Sequence, residues 1–369
     1  MSVKKEVRPR KRFLLRHVGN MGDLVILAPP VLANLKQLYP DAHITFVTAW
    51  GYKDNGRCRA GRNSNQGWGR RSMGGHGIHL MMTNPHIDQL VHWHDTKLSL
   101  TNNICREDGQ TFPTWNSAYW EQEKKSGKYD RVIELDIGLT AEDNPLPALF
   151  TAAGLPPDSP MAYRLYFSER DREVAAAVMA AAPRPRLFFL ETVAGLTTRS
   201  WDPDKVKQLE VAVEKYYGVP PLWFGAAHTP LYRGRPLTLR ENIALLEHGD
   251  VGIGVLSGPL HFAVAAGLPT LTLYCDHTIE RAAPAYFCGT QHRTLLGPSP
   301  DTLQLHKYLD NVPHLTPREL FVQNFISWQK PGRQATKSCL AAITVDEVMR
   351  VLADMLPSAH TRIAELISG

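Results

Sequence analysis

Two segments far apart in the chain constrain its fold most. R-F-L-L-R-H-V-G-N-M-G-D-L-V-I-L-A-P-P-V-L occupies residues 12–32, and D-V-G-I-G-V-L-S-G-P-L-H-F-A-V-A-A-G-L-P-T-L-T-L-Y occupies residues 250–274. Each reads as a buried strand, a glycine-bearing turn and then a helix. A strand that turns tightly into a helix opens a phosphate- or sugar-binding α/β unit, because the helix start presents unpaired backbone N–H groups. One such opening stands in each half of the chain.

The rest of the chain extends this pattern. Phe13-Leu14-Leu15 predicts a strand and Asn20-Met21-Gly22 a turn. Residues 23–39 carry Leu24, Leu27, Val31, Leu35 and Leu38 at helical spacing, and Pro40-Asp41 ends that helix. H-I-T-F-V-T, 43–48, is the next strand, so the first unit is βαβ with a parallel sheet. Residues 51–77 then hold eight glycines and five arginines with little that is apolar, which predicts a mobile loop. Order is expected to resume at N-P-H-I-D-Q-L-V, 84–91, and to lapse again over 95–127. Y-D-R-V-I-E-L-D, 129–136, reads as a strand and 146–155 as a helix. The basic, proline-rich A-A-P-R-P-R, 181–186, predicts the interdomain linker. Beyond it, strands are expected at 187–190, 221–224, 251–255 and T-L-T-L-Y, with helices at 204–217, 239–247 and after the S-G-P-L-H turn. Residues 297–337 read as an irregular excursion. The chain closes in a helix over 344–356, with Thr344 as N-cap and Glu347 completing a capping box. The predicted domains are therefore 1–182, 187–343 and a helical segment 344–369.

Composition narrows the class. A chain of 369 residues suits about two domains, and 43% hydrophobic with 21% charged residues is ordinary for a globular protein. No apolar run approaches the roughly 18 residues of a membrane span, and no signal-peptide core follows the basic N-terminus, so a cytoplasmic location is expected. Cysteines 58, 105, 275, 288 and 339 show no C-x-x-C spacing, which argues against a disulfide framework or a zinc site. His92-x-His94 would share one strand face, but no carboxylate or cysteine spacing supports a metal there. The net charge of +5 suggests an acidic partner such as a nucleoside diphosphate, a phosphorylated glycolipid or nucleic acid.

Three places carry chemistry. Asp23 follows Gly22 at a strand-to-helix turn; it could take a proton from a hydroxyl or simply cap the helix. Ser257-Gly258-Pro259 precedes a helix containing His261, and could bind a diphosphate or be a structural turn with proline at its first position. Thr197-Thr198-Arg199 lies in the loop after the first strand of the second half, on the ligand edge of an open α/β sheet. Arg199 could there pair with a phosphate or simply be solvated.

Taken together, these segments resemble glycosyltransferase family 9, the ADP-heptose:lipopolysaccharide heptosyltransferases. R-H-V-G-N-M-G-D is similar to the family's R-x-G-x-x-G-D opening, and N-P-H-I-D to its N-P-x-I-D. K-Y-D-R-V-I-E-L-D is similar to its K-Y-D strand, and T-T-R-S-W-D-P-D-K-V to its K-x-W-P loop. The run T-L-R-E-N-I-A-L-L-E-H-G-D through T-L-T-L-Y resembles the family's strongest block, and C-L-A-A-I-T-V-D-E-V its close. The matches keep their order through most of the chain. The resemblance implies a GT-B architecture: two Rossmann-like domains facing across a cleft, acceptor on the first and nucleotide-sugar on the second. It implies Asp23 as general base, with Gly22, Thr197, Thr198, Arg199, Ser257, Gly258, Pro259 and His261 around the donor. It further implies inversion at the anomeric carbon, no metal, no cofactor beyond the nucleotide-sugar, and ADP-heptose as the default donor.

Two positions depart from that pattern. The family's D-[ST]-G-P reads L-S-G-P, with Leu256 in place of the aspartate, and the acidic residue expected after W-F-G-A-A-H, 223–228, is missing. Both would touch donor sugar or ribose, so the reaction class follows more firmly than the sugar. The acceptor is open. Arg57, Arg59, Arg62, Arg70 and Arg71 of the basic loop, with Trp115 and Trp120, suit a phosphorylated lipopolysaccharide core, with possible peripheral membrane association. They also suit DNA carrying a modified base stacked on those tryptophans; a loop of solvated arginines is the plain alternative. No obligate protein partner is implied. A non-catalytic nucleotide-sugar or nucleic-acid binding protein on a degenerate GT-B scaffold is the other class. A dehydrogenase is disfavoured, since no G-x-G-x-x-G is present and no acidic residue ends the second strand.

Overall fold

β1 (Arg12–His17) buries Phe13, Leu14 and Leu15 completely, as a strand covered on both faces of a parallel sheet must. The structure, a computed structural model, describes residues 10–18, 21–49, 77–93, 105–107, 110–135, 144–190, 200–225, 229–274, 283–297 and 340–357. The arginines of the basic loop, Thr197, Thr198, Arg199 and all but the first residue of the 297–337 excursion lie outside them. Apart from Asn144 and Pro145, the described residues form one unit that ends at Pro160 and a second that begins at Met161.

The first unit continues with α1 (Met21–Leu38), β2 (His43–Ala49), α2 (Gly77–Met81) and β3 (Gln89–Trp93). A short antiparallel hairpin of β4 (Cys105–Glu107) and β5 (Gln110–Phe112) follows, then β6 (Thr114–Trp115), α3 (Ser117–Lys125), β7 (Arg131–Glu134) and α4 (Leu146–Ala153). The sheet is parallel throughout, in the order β6-β3-β2-β1-β7. α1 runs through Pro29 and Pro30, which the sequence rules would make a break. It is buried from Leu24 to Leu32, and Asn34 Nδ2 donates to the carbonyls of Pro30 and Pro160, both at 2.8 Å. Residues 95–127, read as irregular from the sequence, contain α3. Its N-cap Asn116 accepts from the Tyr119 N–H at 2.9 Å, and Trp120 anchors it to Leu14, Val47 and Val91 of the sheet.

In the second unit come α5 (Glu169–Met179), β8 (Leu187–Phe189), α6 (Pro203–Tyr217), β9 (Leu222–Trp223), the β10 (Leu231–Tyr232) and β11 (Arg235–Pro236) hairpin, and α7 (Leu239–Ala244). They are followed by β12 (Val251–Val255), α8 (Gly258–Ala265), β13 (Thr270–Tyr274), α9 (Pro284–Cys288), β14 (Arg293–Leu296) and α10 (Val345–Met355). The parallel sheet runs β14-β13-β12-β8-β9. α6 and α10 cover the face carrying Leu187, Phe189, Val251, Ile253, Leu271 and Leu273. The expected capping box of α10 is present: Glu347 N–H donates to Thr344 Oγ1 at 3.2 Å and Thr344 N–H to Glu347 Oε2 at 2.8 Å. On the other face, Gly252 and Gly254 make room for Leu190: a Cβ on Gly254 would stand 2.8 Å from Leu190 Cβ.

The chain enters the second unit earlier than residue 187. α5 belongs there, tied to α7 by the buried pair Arg240 Nε–Asp171 Oδ2 at 2.9 Å, and Leu165 N–H donates to Ala265 O at 3.0 Å. The proline-rich 181–186 thus joins α5 to β8 inside one unit, because apolar packing of α5 rather than local composition decides where the boundary falls.

Three aspartates at the amino-terminal ends of strands do the same structural work. Asp88, before β3, accepts from Ile44 N–H (2.8 Å) of the neighbouring strand, from Lys36 and from Arg10. Asp130, before β7, accepts from Arg12 N–H (2.8 Å) and Lys11. Asp250, before β12, accepts from Arg186 N–H (2.8 Å) and Arg184. Each fixes the register of two parallel strands where a donor would otherwise face solvent. The aspartates of N-P-H-I-D and K-Y-D are therefore parts of the scaffold, at the amino-terminal end of the sheet.

Candidate active site

At the carboxyl end of the first sheet, β1 leads through residues 18–20 into α1. Asp23 is the third residue of that helix and half-buried. A capping role would fall to the residue before Met21, so Asp23 sits within the first turn, where the helix dipole favours a negative charge. Gly22 precedes it in the same turn.

The same sheet end holds two further groups. Arg16 lies between two indoles, its guanidinium carbon 5.0 Å from the Trp93 ring centroid and 4.8 Å from that of Trp120. Its Nη2 is 2.7 Å from Glu134 Oε2, and Lys124 Nζ holds Glu134 Oε1 at 2.9 Å. Burial alone would raise the Glu134 carboxyl, but the Lys124 hydrogen bond and the Arg16 charge hold it below the ordinary carboxylate range. On the opposite face, His17, Thr48, His92 and Thr114 are consecutive register partners across β1, β2, β3 and β6. His17 and Thr48 are each 1% exposed and His92 3%, and His92 Nδ1 is 3.4 Å from Thr114 Oγ1. A row of histidine and threonine where parallel strands normally end in aliphatic residues was not singled out from the sequence; its signal is the polar residue closing each of F-L-L-R-H, T-F-V-T and Q-L-V-H.

The tryptophans expected to meet an acceptor are placed otherwise. Trp115 is 7% exposed and Trp120 1%, both in the core between α3 and the sheet, so their rings are covered by apolar neighbours and, at Trp120, by the Arg16 guanidinium, and offer no free stacking surface. The local reason is the α3 fold itself, which turns the aromatic side of N-S-A-Y-W inward.

In the second unit, β12 feeds Leu256 and Ser257, and α8 starts at Gly258 with Pro259 in its first turn. Ser257 is the N-cap by backbone, yet its side chain makes no capping bond, and its buried Oγ has no hydrogen-bond partner among the described residues. The turn therefore offers a hydroxyl beside the N–H groups of Gly258 and Leu260, which the helix geometry leaves without intrahelical acceptors. Leu256 is 6% exposed and packs with the apolar core, so the position that would carry the aspartate of the resemblance is filled by aliphatic packing. His261 is 4% exposed, and its Nδ1 is engaged by the Tyr163 hydroxyl at 3.0 Å. Among the described residues, no group of three or more His, Cys, Asp or Glu side chains could hold a metal ion, and no helix is long and apolar enough to cross a membrane.

A glycosyltransferase family 9 protein from Veillonella parvula superposes with a TM-score of 0.57 at 14% identity, covering 94% of this chain and 97% of that one. Escherichia coli ADP-heptose LPS heptosyltransferase II gives 0.51 at 12% identity, covering 94% and 98%. The fold is that of the family 9 glycosyltransferases. No family model matches the sequence, and no curated protein matches it. The likeness extends over both units, and the α/β GT-B architecture expected from the family 9 resemblance is present. Of the residues that resemblance points to, Asp23 and Gly22 lie in the helix that follows the carboxyl end of β1, and Ser257, Gly258 and Pro259 in the turn that follows the carboxyl end of β12. Sequence reasoning missed Tyr163, whose partner His261 stands 98 positions away.

Proposed function

We propose that the chain is an inverting glycosyltransferase. Asp23 accepts the proton of an acceptor hydroxyl; that oxygen bonds to the anomeric carbon as the bond from this carbon to the nucleoside diphosphate breaks. The diphosphate leaves with both electrons of that bond, stabilised by the Ser257 hydroxyl and the N–H groups opening α8. Thr197, Thr198 and Arg199 are proposed as further donor contacts, and the arginines of the basic loop as acceptor contacts. The reaction needs no metal on this reading, because helix N-termini and basic side chains carry the charge.

One observation carries the reading: in each unit, the turn at the carboxyl end of a parallel sheet bears the group the chemistry needs. Asp23 stands in the first helical turn of one, and Ser257, whose hydroxyl has no hydrogen-bond partner among the described residues, is the backbone N-cap of the other. The E. coli relative is named for ADP-heptose and lps; ADP-heptose is accordingly the default donor, and lipopolysaccharide core or another glycan the acceptor. Use of a nucleotide-sugar favours a cytoplasmic location. A DNA acceptor loses its stacking support, since Trp115 and Trp120 are core residues. A non-catalytic binding protein on the same scaffold is favoured by one observation, the buried Leu256.

Asp23→Ala tests the assignment. Turnover is expected to fall roughly a hundred- to ten-thousand-fold, the usual worth of a general base, while donor binding and fold persist. A variant that keeps most of its turnover would remove Asp23 from the mechanism.

A further inference from the structure

Three elements of the first unit meet at one carboxylate. Glu134 closes β7, and its register partner on β1 is Arg16, whose Nη2 lies 2.7 Å from Glu134 Oε2. Lys124 of α3 reaches the other oxygen, Oε1, at 2.9 Å. The indoles of Trp93 and Trp120 flank the Arg16 guanidinium and restrict its movement. Burial would raise the Glu134 carboxyl, but the Lys124 hydrogen bond and the Arg16 charge outweigh it and keep the group ionised. An ionised carboxylate offers about four lone-pair sites, so the Arg16 and Lys124 bonds leave part of its capacity. The Glu134 side chain keeps 31% of its surface exposed, against 17% for Arg16, and so still reaches solvent.

From β1 the chain steps outward to β2, β3 and β6 on one side, then returns to the other side of β1 as β7. The strand order therefore reverses between β1 and β7, and open α/β sheets take ligands outside the carboxyl ends of their strands at such a reversal. Arg16 and Glu134 stand at that end of these two strands, and the helix bearing Asp23 follows the same end of β1. Stability alone does not account for the arrangement, because ion pairs this accessible contribute little. We propose that Glu134 is an acceptor-specificity residue: its carboxylate, oriented by Arg16 and Lys124, accepts hydrogen bonds from uncharged hydroxyls of a sugar acceptor. This rests on the reading of the first unit as the acceptor domain. The sign of the charge sets the class of group, since a hydroxyl donates to a carboxylate whereas a phosphate in its place would be repelled.

The test is transfer from ADP-heptose to lipopolysaccharide core oligosaccharide, intact and dephosphorylated, by the native chain, Glu134→Gln and Lys124→Ala. In Glu134→Gln the acceptor KM is expected to rise about 10- to 100-fold, the fold-change of a hydrogen bond to a charged group. Its kcat and its donor affinity should hardly move, as for a contact made equally before and during reaction. The rise should persist with the dephosphorylated core. Lys124→Ala breaks the same network but leaves the carboxylate on Arg16, so its KM should rise at most about 5-fold, the most a surface ion pair is worth. An unchanged KM in Glu134→Gln, an equal rise in both variants, or a rise that disappears on dephosphorylation overturns the inference alone. Where Glu134→Gln does not fold, Glu134→Asp, which keeps the charge and withdraws the carboxylate by one methylene, must show the KM rise in its place. No transfer by the native chain to either form of the core refutes the donor and acceptor reading on which the inference stands.

Discussion

His292→Asn offers a quantitative check on how the second unit is built. His292 immediately precedes β14, is 2% exposed, and its Nδ1 is 2.9 Å from Thr270 Oγ1 on β13. Burial pushes its pKa down from 6.5 to about 4. The unfolded chain therefore takes up this proton first as pH falls. The contribution to stability is complete above about pH 6.5 and is lost progressively as the pH drops toward 4. A gap of that size is worth about 3 kcal/mol in full, and about 2.5 kcal/mol of it is gone at pH 4.5. His43, His86 and His248 are also held low, chiefly by burial, and push in the same direction. The variant isolates the one site. Urea unfolding of native and His292→Asn chains at pH 7 and pH 4.5 gives four free energies. The native chain should lose about 2 kcal/mol more than the variant between the two pH values. Asparagine costs stability at pH 7 by losing ring packing, but that cost is the same at both pH values. Equal losses in the two chains would refute the reasoning and return His292 to an ordinary solvated titration.

Two other substitutions probe the scaffold. Asp88→Ala removes the acceptor of the Ile44 N–H, Lys36 and Arg10 bonds, and should cost about 2–3 kcal/mol in urea unfolding. Turnover of the folded fraction should stand, and a selective loss of turnover would show that N-P-H-I-D serves the chemistry after all. Gly254→Ala should cost about 1–3 kcal/mol, because its Cβ would stand 2.8 Å from Leu190 Cβ in a filled layer; a neutral thermal midpoint would mean that Leu190 can step aside.

The two strand–turn–helix openings were legible because everything they need is local. β1 with α1, and β12 with α8, carry their apolar spacing, turn and acidic or hydroxyl residue within about twenty positions. α10 was legible for the same reason, its capping box being written in T-V-D-E. α3 was not: S-A-Y-W-E-Q-E-K-K buries only Trp120 and Glu123, so its helix is decided by what Trp120 packs against and not by periodicity. The start of the second unit was misplaced because Pro185 and its neighbours advertise a break, while the Asp171–Arg240 pair that binds α5 to α7 spans 69 positions. The site shows the same division. Asp23 and Ser257 follow from spacing, whereas the Tyr163–His261 pair, the Arg16 cage and the His17–Thr48–His92 row exist only once distant strands are aligned. Nothing local marks Trp120 as a core residue rather than a binding surface.

The most direct test of the central claim is a thermal-shift and calorimetric survey of ADP-heptose and other ADP-, UDP- and GDP-sugars against the native chain and Asp23→Asn in parallel. The account predicts that one donor binds both chains with similar affinity, because the diphosphate is held at the α8 turn and Asp23 acts on the acceptor. Absence of binding by any donor, or binding that disappears with Asp23, would contradict it.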